Sequence, residues 1–163
     1  MIGFDADPSH TVRSASYWQQ WLFGKIGHTA NHCHTDADTP PRTAHYRGTQ
    51  SLPITNSEGD YNPLFWGATL DEGKNCVYLK IINILGDSVP LTVNIPQPYK
   101  SVNGTILTAA DLNSYNYIYN QTEVVPKPLS IPASASTPAS YGGAAKFQWD
   151  VPRFSLTVLQ FDL

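Results

Sequence analysis

Leu64-Phe-Trp-Gly-Ala-Thr-Leu70 is followed by Asp71-Glu-Gly-Lys-Asn75 and then by Cys76-Val-Tyr-Leu-Lys-Ile-Ile82. Two runs rich in apolar, β-branched and aromatic residues thus flank a short polar segment that contains a glycine. That pattern reads as two strands of a hairpin, the first of them buried. Working toward the C-terminus, Gly86-Asp87 marks the next turn. Val89, Leu91, Val93 and Ile95 then alternate with Pro90, Thr92 and Asn94, as in a half-buried strand. Asn103-Gly104 reads as a turn pair that breaks the run from Ser101 to Leu107. Pro126 to Ser140 is a Pro/Ser/Ala-rich loop without periodicity. Ala145 to Trp149 and Phe154 to Leu163 close the chain as strands. The last has Phe154, Leu156 and Val158 on one face and Leu159, Phe161 and Leu163 on the other, so it belongs in the middle of a sheet. Many short strands separated by turns predict an all-β protein, an antiparallel β-sandwich of jelly-roll type.

Toward the N-terminus the pattern changes. Asp7-Pro-Ser9 is a turn signal after the end of a strand, and Ser14 is placed to cap a helix. Tyr17, Trp18, Trp21 and Leu22 then make an apolar helical face. So short a helix is marginal alone in water and needs a surface to pack on.

The 163 residues suffice for one domain with a core, or for one domain and a piece of another. Charged residues make up 14% and the net charge is −3, without a basic cluster, which argues against nucleic acid and anionic membrane surfaces as partners. No run approaches the ~20 apolar residues of a membrane span. The two cysteines, Cys33 and Cys76, form no disulfide framework. Asn103-Gly-Thr105 and Asn120-Gln-Thr122 match the N-glycosylation sequon and point toward secretion. Ile2-Gly-Phe-Asp-Ala-Asp7 lacks the features of a signal peptide, so an extracellular protein would have its leader elsewhere.

Residues 24–45 stand apart. His28, His32, Cys33 and His34 lie close together, with Asp36, Asp38 and His45 nearby. His28 and His32 have the i, i+4 spacing that zinc sites use on helices, yet Gly27 and Pro40-Pro41 oppose a helix there. The alternative is an extraneous, disordered insertion. Gly24-Lys25 can be encoded with a GTAAG intron start, Ala37-Asp38 with a branch-point-like string, and Thr43-Ala44 with an acceptor. Splicing at these points removes residues 25–43, keeps the frame, merges Gly24 and Ala44 into one alanine codon and gives Trp-Leu-Phe-Ala-His-Tyr-Arg-Gly-Thr, as expected of a translated, unspliced intron.

Catalytic patterns are scarce. Glycoside hydrolysis needs two facing carboxylates, but Glu58, Glu72 and Glu123 fall in turns or at strand edges, and Asp5 and Asp7 fit a solvated loop. There is no Gly-x-Ser-x-Gly elbow, and His10 is the one histidine outside the odd stretch and its edge. No phosphate loop, catalytic residue, metal set or cofactor is predicted. Trp66 and Trp149, with the row Tyr115, Tyr117 and Tyr119, are candidates for an aromatic carbohydrate platform; packing of the sandwich explains them as well.

Taken in order, Ile2-Gly-Phe-Asp-Ala-Asp-Pro8, Ser16-Tyr-Trp-Gln-Gln20, Leu22-Phe23, Arg47-Gly-Thr49, Leu52-Pro53 and Asn62-Pro-Leu-Phe-Trp66 carry a family resemblance. It continues through Val77-Tyr-Leu-Lys-Ile81, Pro90-Leu-Thr-Val-Asn94, Thr122-Glu-Val-Val-Pro-Lys-Pro128 and Phe154-Ser-Leu-Thr-Val-Leu-Gln160. The set resembles the C-terminal part of fungal α-L-arabinofuranosidases of glycoside hydrolase family 51. The resemblance implies a (β/α)8 catalytic barrel followed by a β-sandwich. Residues 1–23 would be the last strand and helix of the barrel, 24–45 the insertion, and 46–163 the sandwich. It also implies two barrel glutamates, the acid/base following an asparagine. No Asn-Glu pair occurs here, so neither role transfers to this chain. The implied partners are the barrel and, through it, arabinose-containing polysaccharide. The expected consequence is a fragment inactive by itself, with the apolar face of the helix uncovered. A free-standing carbohydrate-binding module and a metal-binding protein are the competing readings.

Overall fold

The computed structural model describes residues 2–3, 11–25, 49–52, 64–132, 135–137 and 144–163. The expected hairpin is present. β4 (Leu64–Asp71) and β5 (Cys76–Asn83) pair antiparallel from Leu64↔Asn83 to Asp71↔Cys76. Their turn closes through Asn75, whose φ of 53° lies in the left-handed region that asparagine tolerates better than most side chains. The Asn75 amide donates to the Leu163 carbonyl at 2.8 Å, so the turn also holds the last residue of the chain.

Two sheets face each other. The larger has the order β3 (Thr49–Leu52), β4, β5, β11 (Ser155–Asp162), β7 (Ser101–Thr108), β8 (Lys127–Pro128). The smaller runs β6 (Val89–Ile95), β10 (Ala145–Val151), β9 (Ser136–Thr137). Every strand pair is antiparallel. The chain passes from the large sheet to the small one between β5 and β6, returns at β7, and returns again at β11. The result is the antiparallel sandwich expected from the turn spacing, with one short helix at its N-terminal side. The residues of β11 that read as apolar on both faces do lie centrally, between β5 and β7.

Strand periodicity assigns the faces. Val89, Leu91, Val93 and Ile95 oppose Val151, Trp149, Phe147 and Ala145, and these pairs point at the large sheet. They meet Leu64, Leu79, Ile81, Leu159 and Phe161 in one apolar cluster. Phe147 and Phe161 pack edge to face at 5.4 Å, and Tyr99 adds a second edge contact to Phe161 at 5.2 Å. Asn83 closes the corner of the sandwich. Its amide donates to the carbonyls of Asp87, Val151 and Pro152, and its oxygen accepts from the Leu85 N–H at 2.9 Å.

β7 corrects one expectation. Asn103-Gly104 is not a turn: the strand runs unbroken from Ser101 to Thr108. Leu129 seats on Gly104, where a Cβ would stand 2.8 Å from the leucine Cδ2 and 3.2 Å from that of Leu159. The glycine is needed for close approach rather than for a bend. The Pro-rich segment also contributes the two-residue strands β8 and β9, which its lack of periodicity concealed.

At the N-terminal side β1 (Ile2–Gly3) pairs with β2 (Val12–Arg13), and α1 (Ala15–Lys25) follows. Ser14 caps it as expected, its Oγ accepting the Tyr17 N–H at 3.2 Å. The apolar face of α1 is not uncovered. Leu22 is wholly buried with Tyr78, Leu107, Val124, Leu156 and Val158, and Ala15, Trp18 and Trp21 pack against that group. The helix therefore lies on the outer face of the large sheet. Its backbone extends to Lys25, and the remainder of the His/Cys stretch lies outside the described residues, as do Asp5, Asp7, His10 and Glu58.

Candidate functional site

The aromatic residues singled out in the sequence go to two places. Trp66 lies opposite Ile81 and Trp149 opposite Leu91; both are half-buried and pack against the cluster between the sheets. The tyrosines are outside. Tyr115, Tyr117 and Tyr119 are 65%, 43% and 93% exposed, with Leu112 and Ile118 exposed beside them. All five belong to the loop between β7 and β8.

That loop is held from within. Asn116, buried among exposed neighbours, exchanges two hydrogen bonds with the Val124 backbone, at 2.7 and 2.8 Å. The Asn116 amide also donates to the Arg13 carbonyl at 2.9 Å, which ties the loop to the residue just ahead of the helix cap. Asp111 receives the Asn113 N–H, and the Ser114 hydroxyl receives that of Asp111. Tyr117 and Asn120 form a reciprocal backbone bridge, and the Gln121 amide reaches the Ile118 carbonyl. The outcome is a backbone fixed by its asparagines and aspartate, with tyrosine rings held outward. The Tyr115 and Tyr117 rings lie 5.6 Å apart, tilted by 51°.

Beneath α1 the large sheet carries polar groups as well as apolar ones. Cys76, Tyr78, Lys80 and Ile82 alternate onto this face of β5, next to Asp162, Gln160, Val158 and Leu156 of β11. Cys76 is a free, buried thiol. Burial raises its pKa, with a hydrogen bond to Tyr78 opposing the shift. Burial and then the Cys76 hydrogen bond raise the Tyr78 phenol well above its ordinary range. Burial lowers Lys80. Asp162 is lowered by hydrogen bonds from Ser101 and Gln160, the latter at 2.7 Å. Asp71 is buried and accepts the Lys74 N–H. These carboxylates are engaged in holding strands and turns. Among the described residues no group of three His, Cys, Asp or Glu side chains comes together.

The sequon residues differ. Asn103 stands exposed on the outer face of β7 opposite Gln160. Asn120 is half-buried, and its amide nitrogen, the atom a glycan would occupy, donates to Glu123 Oε2 at 3.2 Å. Sequence reasoning did not find the roles of Asn83 and Asn116. Both residues sit beside turn-rich segments, where asparagine is read as a turn residue.

Residues 1–155 match the family model described as "Alpha-L-arabinofuranosidase C-terminal domain". No curated protein sequence matches the chain. Among solved structures, the GH51 arabinofuranosidase from Xanthomonas axonopodis pv. citri is similar over 99% of this chain and 28% of its own, at 19% identity and a TM-score of 0.62. The arabinose-bound MgGH51 α-L-arabinofuranosidase is similar over 99% and 21%, at 18% identity and a TM-score of 0.67. The α-L-arabinofuranosidase from Thermotoga maritima is similar over 62% and 19%, at 17% identity and a TM-score of 0.51. The chain thus spans between a fifth and just over a quarter of the first two structures.

Proposed function

The chain belongs to the α-L-arabinofuranosidase C-terminal domain family, and from that premise we propose that it acts as the accessory sandwich of a secreted α-L-arabinofuranosidase of glycoside hydrolase family 51. The full enzyme would remove terminal α-L-arabinofuranose from the non-reducing ends of arabinan or arabinoxylan side chains. The observation that carries the reading is the burial of Leu22: the match runs through α1, and α1 sits on the sheet as a built-in layer. In this proposal residues 1–23 are the last strand and helix of a catalytic barrel, and the sandwich buttresses that barrel through them. Catalysis rests on two barrel glutamates and needs no cofactor. Of the two sequon asparagines, Asn103 is exposed and carries a glycan, whereas the Asn120 amide is engaged with Glu123.

The proposal is tested with an aryl α-L-arabinofuranoside. The pure chain releases no arabinose; joined in frame behind a barrel of the family, it restores hydrolysis that the barrel lacks alone. Arabinose released by the chain alone, or a barrel equally active without it, contradicts the reading. We further propose a fungal-type gene in which residues 25–43 are a retained intron. Transcripts that keep this segment in every mature message refute that.

A further inference from the structure

Exposed apolar side chains usually occur singly, and a cluster of them marks a contact surface. The loop from Ala109 to Val124 exposes Leu112, Tyr115, Tyr117, Ile118 and Tyr119 together. It is not a floppy excursion, because Asn116 pins it to Val124 and Arg13, and the bridge between Tyr117 and Asn120 closes its tip. A tyrosine needs little conformational entropy to be held still, so rings on a fixed backbone make an inexpensive contact surface.

The chemistry of the loop selects the occupant. It carries Asp111 and Glu123 and no lysine or arginine, so neither nucleic acid nor an acidic surface is favoured. Glu123 is engaged by Asn120, and Asp111 by the Asn113 N–H. The loop surface is therefore aromatic area bordered by the neutral residues Asn113, Asn120 and Gln121, the amides of the last two donating to Glu123 and to the Ile118 carbonyl. That combination suits a neutral, hydroxyl-rich ligand with apolar ring faces.

We propose that Tyr115, Tyr117 and Tyr119 form a polysaccharide platform on which sugar rings stack. The choice of an arabinose-substituted chain as its ligand rests on the arabinofuranosidase reading. Position supports this choice. In (β/α)8 barrels the chemistry lies at the C-terminal ends of the strands, where the helices begin. Asn116 fastens the tyrosine loop to Arg13, immediately before the N-terminal cap of α1. If α1 is the last helix of a barrel, the platform stands beside the catalytic face, where it would hold a neighbouring stretch of the same polymer.

The test uses the 163-residue chain in affinity gel electrophoresis against soluble arabinoxylan, with hydroxyethyl cellulose as a neutral comparison. The wild-type chain is expected to be retarded by arabinoxylan. Tyr119→Ala, and Tyr115→Ala with Tyr117→Ala, should each weaken binding at least about fivefold, and the triple variant should abolish it. Tyr→Phe at the three positions should retain most of it. Unfolding midpoints of all variants are measured alongside. No retardation of the wild type in either gel overturns the platform, as does undiminished retardation of a folded triple variant. Retardation by cellulose alone overturns the arabinose assignment and leaves the platform standing. Self-association lost in the triple variant, with no polysaccharide retardation, assigns the surface to a second copy and overturns the proposal. Hydrolysis by the barrel-joined protein is a separate readout, so either reading can fail without the other.

Discussion

The two faces of the six-stranded sheet are closed in different ways. Against the inner face lies a second sheet, and the cluster buried there is aliphatic and aromatic, Leu64, Leu79, Ile81, Phe147, Leu159, Phe161 and their neighbours, with Thr157 and Asn83 as uncharged polar residues buried on the same face. Against the outer face lie one helix and one loop, and the side chains beneath them include Cys76, Tyr78 and Lys80. The inner face is a core in which shape and area dominate. The outer face buries area as well, but it also desolvates ionisable groups, and it is closed by a segment from the other end of the chain. The inner core joins the two sheets; the outer layer joins α1 to the sandwich.

The largest effect should come from the inner face. Phe161→Ala removes a ring in edge contact with both Phe147 and Tyr99 and should cost about 4 kcal/mol in denaturant unfolding. Leu22→Ala probes the outer face. If α1 is a true layer, the cost should be about 3 kcal/mol, in the range of other buried leucines. A cost below about 1 kcal/mol would mean that the helix only rests on the sheet. Gly104→Ala should cost about 2 kcal/mol, because the new methyl group collides with Leu129 rather than filling space.

The smallest effect is a matter of pH. Cys76 and Tyr78 keep their protons in the folded state above the ordinary values of 9.0 and 10.0 at which the unfolded chain releases them. Stability from this pair is full below about pH 9 and declines as pH rises further. Lys80 opposes this: its folded pKa lies below 10.5, so the unfolded chain binds more protons in that window and stability rises with pH. Asp71, Asp162 and Lys74 are the other charged groups acting on the Cys76 and Tyr78 pair. In thermal melts from pH 8 to 11, Tyr78→Phe should flatten the alkaline decline and Lys80→Met should steepen it. An inner-face substitution such as Phe161→Ala should lower the whole profile without changing its slope.

Much of this architecture could be read in the sequence, for a physical reason. Alternation with a period of two survives in β6 and β11 because each strand meets apolar surface on the faces the pattern names. The hairpin of β4 and β5 is local, so its turn residues announced it. Features set by distant contacts were hidden. Nothing near Asn103-Gly104 shows that Leu129 will occupy the glycine, so a strand interior read as a turn. The two-residue strands β8 and β9 are too short to show periodicity. The helix read as uncovered because the resemblance assigned it to a barrel, and the patch it packs on, Tyr78, Leu107, Leu156 and Val158, is spread over three strands and so was not visible locally. Aromatic content alone did not separate the tryptophans, packed between the sheets, from the tyrosines on the loop. The polar flanks of the tyrosine row, Asp111 to Ser114 and Asn120 to Thr122, were the available signal.

Native-state hydrogen exchange at single-residue resolution tests most directly whether the outer face is a built layer. If α1 and the sandwich form one unit, the amides around Leu22 will exchange with nearly the same opening free energy as those of β5 and β11. Exchange of those helix amides at free-peptide rates, while β5 and β11 stay protected, would contradict the account.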